Sequence, residues 1–325
     1  MNNLTILLTL RERADYTKTW FANNYSTEVD YLIADGSISD ENESLFLQNP
    51  KDNIKYIRFP VDRNLEAYHK KVWDASMMIK TPYVMSCDND DFLNITGIKK
   101  CASFLEENSD YGLCGGKILG VTGSNNEIHD GISSYKLTFG STVDNSTLDE
   151  LSGASAIEQM FRPYKYIWYS VYRTDIYSKI WKNIYEAKFE SGHLVEMFQS
   201  QLSFCFGKYK DLNVNTYIRL ENPTSNDATE ESALGIQMWS HGRINFDNDY
   251  RSEVLEMATK ISEILKVPAA NVTDQYAKFY TYSLLDKYSL SIRARLYKKL
   301  MRFFTKITPR TRMDLLIRCI NFFMR

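Results

Sequence analysis

Tyr83-Val84-Met85-Ser86-Cys87-Asp88-Asn89-Asp90-Asp91-Phe92 is an apolar run that stops abruptly in three carboxylates within four residues. The run is short enough for a buried strand. An unpaired buried charge costs on the order of several kcal/mol, so the three aspartates are expected at the strand end. There they would face water, a cation, or a ligand that carries one. Asp, Asn and main-chain oxygens are hard ligands suited to Mg2+ or Mn2+. The carboxyl end of a strand in an open α/β sheet is also where such folds bind ligands.

The flanking chain supports that setting. Upstream, Leu4–Leu10 (LTILLTL) reads as a buried first strand, Val29–Ala34 as a second and Ile54–Phe59 as a third, closed by Pro60. Between them fall a helix from about Tyr16 to Asn23 and one including Leu45 and Phe46, capped by Ser37 or Ser39. Residues 64–79 read as a helix with Leu65, Tyr68, Val72, Ala75 and Met78 on one face. Downstream, Ile95–Glu107 is helical and Tyr111–Leu119 is a strand containing Gly115-Gly116. Alternating strands and helices imply a doubly wound α/β fold with a mostly parallel sheet flanked by helices. One edge of that sheet should gather Arg11, Asp35 and the Asp88–Asp91 cluster.

The second half is less regular. Residues 121–160 are polar and read as loops and short strands. Tyr164–Tyr172 (YKYIWYSVY) reads as an aromatic strand or pair of strands. Thr174-Asp175 starts a helix through Trp181, Ser191-Gly192 opens one to about Phe206, and Tyr217–Glu221 is a strand. Residues 224–250 look loop-rich, 251–266 form an amphipathic helix ended before Pro268, and helices fill 270–287.

The 325 residues suffice for one large or two small domains. The formal charge of −2 hides an asymmetry. Residues 287–325 hold eleven Lys/Arg against one acidic residue, Asp314, for a net +10, so residues 1–286 are net −12. Five cysteines without a CxxC pair indicate neither a disulfide framework nor a zinc site, which fits a reducing compartment. The N-terminus lacks the basic start of a signal peptide, and no uncharged apolar stretch reaches about 18 residues. A cytoplasmic protein is expected.

A first strand followed by Arg, a second ending in Asp35-Gly36-Ser37, and a hydrophobic strand ending in Asp88-Asn89-Asp90-Asp91 together resemble a GT-A glycosyltransferase of the family 2 type. The stretch Thr9-Leu10-Arg11-Glu12-Arg13-Ala14-Asp15-Tyr16 resembles a bacterial and archaeal branch of that superfamily. The resemblance covers roughly residues 4–222 and implies a GT-A catalytic domain over 1–222. Residues 1–120 would bind the nucleotide sugar and 121–222 the acceptor. A C-terminal loop and helices (223–287) and a basic amphipathic tail (288–325) would follow.

The resemblance also implies roles. Asp88 would face the ribose and Asp90 would ligate Mn2+ or Mg2+, while Asp91 either backs that ligand or orients the loop. Asp35 would hydrogen-bond a nucleobase edge. Arg11 would meet the nucleotide or its phosphates, the alternative being an ion pair with Asp15. Where the family commonly has Ala-Arg-Asn before the DxD strand, this chain has His69-Lys70-Lys71, with Arg63 upstream. One lysine should face the nucleotide, and which one is open. An inverting transfer needs a general base near the acceptor hydroxyl. Glu196, in Gly192-His193-Leu194-Val195-Glu196, is the candidate, with Glu190 second; a helix N-terminus would keep it ionised. The family's paired acids are absent there. His241, in Trp239-Ser240-His241-Gly242, is a candidate further metal ligand. Trp168, Tyr169 and Tyr172 are candidates for stacking on a sugar or for the core.

In the tail, Ile292, Leu296, Leu300, Phe303, Phe304 and Ile307 fall at helical spacing between Arg293, Arg295, Lys298, Lys299, Arg302 and Lys306. Such basic amphipathic helices lie in a membrane interface, which suggests peripheral association with an anionic inner membrane face. So many bulky apolar residues argue against nucleic acid as a partner. The expected activity is metal-dependent, inverting transfer from a nucleoside-diphosphate sugar to a glycan or lipid-linked acceptor of surface polysaccharide synthesis. A non-catalytic membrane-associated scaffold and a nucleotidyltransferase are the alternatives. The latter normally has a Gly-rich phosphate loop, which Arg11-Glu12-Arg13-Ala14 lacks.

Overall fold

A computed structural model describes residues 2–123, 137–161, 165, 167–221 and 248–276. The chain divides into two compact units. The first holds residues 1–156 and 165–225, and the second residues 157–164 and 226–325.

The first unit is an α/β sheet with helices on its faces. Its elements begin with β1 (Leu4–Leu10), α1 (Ala14–Asn24), β2 (Asp30–Asp35), α2 (Glu41–Gln48), β3 (Ile54–Arg58), α3 (Leu65–Met77) and β4 (Tyr83–Cys87). There follow β5 (Phe92–Leu93), α4 (Ile95–Glu107), β6 (Tyr111–Gly123), β7 (Leu137–Val143), α5 (Gly153–Met160), β8 (Val171–Arg173), α6 (Thr174–Ala187), α7 (Gly192–Phe206) and β9 (Lys208–Glu221). Helix α5 runs across the boundary into the second unit. The strand order is β3-β2-β1-β4-β8-β6-β9-β5, with β7 also on β6.

The first four strands are parallel, as the strand–helix alternation requires. All of β4 is buried, and β1 is buried except Thr9, because helices cover both faces. Beyond β4 the sheet is mixed: β8 is antiparallel to β4 and β6, whereas β6 and β9 are parallel. Helix α4 lies so close to β9 that a Cβ on Gly97 would sit 2.1 Å from the Asn215 carbonyl oxygen. Only glycine fits there.

Three local expectations are corrected. Neither Ser37 nor Ser39 caps α2: its N-cap is Asp40, which makes no side-chain cap bond. Both serines are committed elsewhere, as described below. The buried side of α3 is His69, Lys71, Val72, Ala75 and Ser76, and Met78 is exposed. The reason is α6, whose Trp181 packs against Tyr68 and His69 while its Tyr185 stacks on Trp73. Among the described residues the aromatic segment gives a strand at Val171–Arg173 alone. Tyr169 precedes that strand and Tyr172 lies within it, and both hydroxyls make polar contacts, while Tyr164 and Tyr166 lie outside the described residues.

In the second unit, α8 (Asn248–Leu265) matches the expected amphipathic helix and buries Tyr250, Val254, Met257, Ala258 and Ile261. Residues 269–276 are also helical. Tyr276 meets Phe161 edge-on at 5.6 Å within the same unit. Among the described residues no helix is long and apolar enough to cross a membrane. The tail at 288–325 lies outside them.

Candidate active site

The strand order reverses at β1. The chain steps outward to β2 and β3, then returns to place β4 on the other side of β1. Leu10 pairs with Asp35, and Leu8 with Cys87. The loops after β1, β2 and β4 therefore emerge side by side at the carboxyl edge, where open α/β sheets form their ligand crevice. Arg11, Asp35 and Asp88–Asp91 are gathered at one edge, as the sequence pattern implies.

The loop after β1 is the most constrained. Glu12 and Arg13 both adopt left-handed backbone, with φ 57° and 61°. Non-glycine residues rarely do so unless their surroundings impose it. Here Glu12 is clamped on every side. Its N–H donates to Ser37 Oγ (2.7 Å) and its C=O accepts from Asn42 Nδ2 (3.1 Å). Its carboxylate accepts from the Ile38 N–H and from Ser39 Oγ (2.9 Å). Desolvation opposes ionisation, but these donors outweigh it and hold the Glu12 carboxyl below its usual range. Arg11, by contrast, is exposed, and among the described residues no ion pair joins it to Asp15.

Asp35 is fully buried at the end of β2. Oδ1 accepts from the Ser37 N–H (2.8 Å) and hydroxyl, and Oδ2 accepts from Tyr56 OH (2.7 Å). Arg58 approaches Oδ2 at 3.5 Å and donates to the Ser37 and Ile38 carbonyls. In this arrangement Asp35 shapes the 35–39 loop and presents no free oxygen to a ligand.

The two lysines separate. Lys70 points outward to Asp74 (2.7 Å), one helical turn on. Lys71 is buried and donates to the Leu10 carbonyl (2.8 Å) and to Asp62. It is thus the lysine at the carboxyl edge, but as half of a buried ion pair. Burial pushes the Asp62 carboxyl up and the Lys71 ammonium down, each opposed by the other's charge. Gly36 lies against this pair: a Cβ there would be 2.5 Å from Asp62 Cγ. Arg63 is exposed.

The acidic loop splits into three environments. Asp91 is buried, contrary to the expectation that all three carboxylates face outward. Its Oδ2 accepts from Tyr217 OH (2.7 Å) and its Oδ1 from the Leu220 N–H (2.8 Å). Burial, then the charges of Asp88 and Asp90, push its carboxyl well above the usual range. Asp91 thus ties the loop to β9. Asp88 is half-buried, with Oδ2 accepting from Tyr169 OH (2.6 Å) and its N–H donating to Tyr217 OH (3.2 Å). Asp90, whose side chain is 9% exposed, pairs with Arg13 through Oδ2 at 2.8 Å. Asn89 anchors the loop to α1 by donating to Thr17 Oγ1 (3.0 Å) and the Arg13 carbonyl (3.3 Å).

Tyr169 and Tyr217 stack at 4.0 Å with an interplanar angle of 16°. Each hydroxyl serves one acid, so Tyr169 acts from inside the protein rather than as an open platform. Tyr172 is also core, bonding the Ile167 carbonyl and Gln199. Trp168 is half-buried edge-on to Trp181. Glu196 is half-buried but sits past the first turn of α7, which starts at Gly192 and has no acid in its first turn. The helix N-terminal field is therefore weaker at Glu196 than expected, because it falls off within one turn. Glu190 is exposed just before the helix. His241 lies outside the described residues.

Sequence reasoning missed Arg13, Glu12, Asp62, Tyr169 as an acid partner, and Tyr217. Glu12 and Arg13 sit beside Arg11 in the quoted stretch, but no spacing rule marks which arginine turns inward. The pairing of Tyr217 with Asp91 spans 126 residues and leaves no local signal.

This arrangement is the fold class expected from the sequence: a GT-A-like α/β unit with its acidic loop at the strand-order reversal. Among solved structures the chain resembles Staphylococcus aureus TarS. The match to TarS has a TM-score of 0.53 at 15% identity, covering 90% of this chain and 44% of that one. TarS 1–349 in complex with UDP matches with a TM-score of 0.54 at 16% identity, covering 86% of this chain and 70% of that one. At such identity the likeness shows the fold. No protein-family model and no curated protein sequence matches the chain.

Proposed function

We propose that the chain is a glycosyltransferase that moves a sugar from a nucleoside-diphosphate sugar to a glycan or lipid-linked acceptor with inversion. The observation that carries this reading is the Asp88–Asp91 loop at the β1/β4 reversal, in a fold also found in a TarS structure holding UDP. The donor would lie across the loops after β1, β2 and β4. Asp88 would face the ribose side, held by Tyr169.

The donor set fits Mg2+ or Mn2+. Asp90 offers a hard carboxylate oxygen, and such ions take one or two carboxylates plus phosphate oxygens. Among the described residues no three His, Cys, Asp or Glu side chains are grouped to hold a metal ion alone, so ligand oxygens would complete the shell. When bound, the ion would neutralise charge on the leaving diphosphate. Glu196 would remove the acceptor proton. His241 remains a proposed further ligand, and tail 288–325 a proposed contact with an anionic membrane.

The test is release of a nucleoside diphosphate from a panel of nucleotide sugars with Mn2+, in wild type and Asp90→Asn. Wild type should release diphosphate from one donor, and the variant should lose nearly all turnover. A variant with full turnover and unchanged metal dependence would sink the assignment of Asp90. Sedimentation with anionic liposomes should need residues 288–325, and equal binding without them rejects the membrane role.

A further inference from the structure

We infer that Arg13 is a resident counter-cation for Asp90, which holds that carboxylate until a divalent ion arrives together with a diphosphate. The inference rests on the proposed donor site and deepens it by ordering how the site fills.

Two features separate Arg13 from an ordinary surface ion pair. First, its main chain is held independently of its side chain. Its carbonyl accepts from the Thr17 N–H (3.1 Å) and from Asn89, and its backbone is left-handed like that of the clamped Glu12 before it. The Cα is therefore anchored to both the acidic loop and α1. Second, the guanidinium is only partly engaged by the acid. Nη2 meets one oxygen of Asp90, the planar group lies 4.0 Å from the centre of the Tyr16 ring, and the side chain is 18% exposed. A guanidinium carries five N–H donors in a fork that suits phosphate as well as carboxylate. Swinging about a fixed Cα, Arg13 can leave Asp90 and meet a phosphate oxygen without moving the loop.

The electrostatics then give an order. With Arg13 on Asp90, a divalent ion alone must displace a cation and sit beside it afterwards. A diphosphate offers Arg13 a new anionic partner and offers the ion further oxygens. Each ligand thus removes a cost to the other, which is positive coupling and is reciprocal. The arrangement also keeps Asp90 neutralised next to Asp88 and Asp91 when no ligand is present. Arg13 is a positioning residue in this scheme and takes no part in bond making or breaking.

The test reads binding rather than turnover. Mn2+ affinity is measured by electron paramagnetic resonance on the full chain, alone and with UDP, GDP or ADP in turn. The proteins are wild type, Arg13→Gln and Arg13→Lys, each checked for an unchanged melting temperature, with Asp90→Asn marking the site-specific signal. In wild type, Mn2+ should bind weakly alone and about tenfold or more tighter with the diphosphate that fits. Arg13→Gln should bind Mn2+ alone about tenfold tighter than wild type and lose most of the coupling. Arg13→Lys should restore part of it. Equal Mn2+-alone affinity in wild type and Arg13→Gln overturns the inference, as does coupling that survives the change. A chain that binds no diphosphate but binds Mn2+ more tightly as Arg13→Gln rejects the donor reading and keeps Arg13 as counter-cation. Absence of site-specific Mn2+ in every protein overturns the inference.

Discussion

Replacing Lys71 with Met would break the buried ion pair beneath the carboxyl edge. Both side chains of the Lys71–Asp62 pair are 1% exposed, so solvent cannot take over from a missing partner. Lys71→Met leaves Asp62 as a buried charge and removes the donor to the Leu10 carbonyl at the end of β1. Losing one partner of a buried pair costs about 3–5 kcal/mol. In a domain of this size that lowers the melting temperature by roughly 6–20 °C. The effect should depend on pH in a defined direction. Burial raises the Asp62 carboxyl in the folded state. A group raised on folding gives its full stability below its unfolded value and loses it as pH rises through its folded value. Without Lys71 opposing that rise, the deficit of Lys71→Met should be largest near neutrality and shrink as pH falls toward the unfolded carboxylate value of about 3.9. Adding Asp62→Asn to Lys71→Met should recover part of the loss at neutral pH, because the unpaired charge is gone. The assay is thermal unfolding followed by circular dichroism at both pH values for wild type, single and double variants. A single variant melting with wild type, or a double variant no better than the single one at neutral pH, would refute the argument.

Other consequences can be read from the same structure. Asp91→Ala should destabilise by about 1–3 kcal/mol, because the Leu220 N–H and Tyr217 hydroxyl lose a buried acceptor. Denaturant unfolding would show this, and a neutral result would mean that β9 does not depend on the acidic loop. Burial holds His69 down to about 4 from its usual 6.5, and neither ring nitrogen has a hydrogen-bond partner. The unfolded chain thus takes up a proton between those values that the folded chain refuses, so stability should fall with pH across that window. The loss is about 3 kcal/mol at most. His69→Phe should flatten this part of the melting-temperature profile, and an unchanged slope would exclude His69 as its source.

The parallel half of the sheet was legible because its signals are local. Leu4–Leu10 and the strand into Asp88 are short apolar runs and Ile95–Glu107 is a helix-length segment, and the structure returns them almost residue for residue. The aromatic segment misled because tyrosines favour strands wherever their polar ends go, and here those ends reach Asp88 and Gln199. The same limit applies to the lysines. Lys70 and Lys71 are neighbours in sequence, but a helix points successive residues in different directions, so only the packing of α3 beneath β1 sends Lys71 inward.

Composition, alternation and the carboxylates after β4 determined the class of fold and the edge at which chemistry would gather. The division of labour among those carboxylates was decided by tertiary structure alone. Asp91 is buried because Tyr217 and Leu220 arrive from β9, Asp88 is held by a tyrosine from before β8, and Asp90 is matched by an arginine from the loop after β1. The physical reason is that a carboxylate's protonation and availability depend on the charges and donors within a few ångströms. Here the neighbouring charges are local, but the burial and the donors that tell the three apart come from residues far away along the chain, beyond the reach of any local pattern.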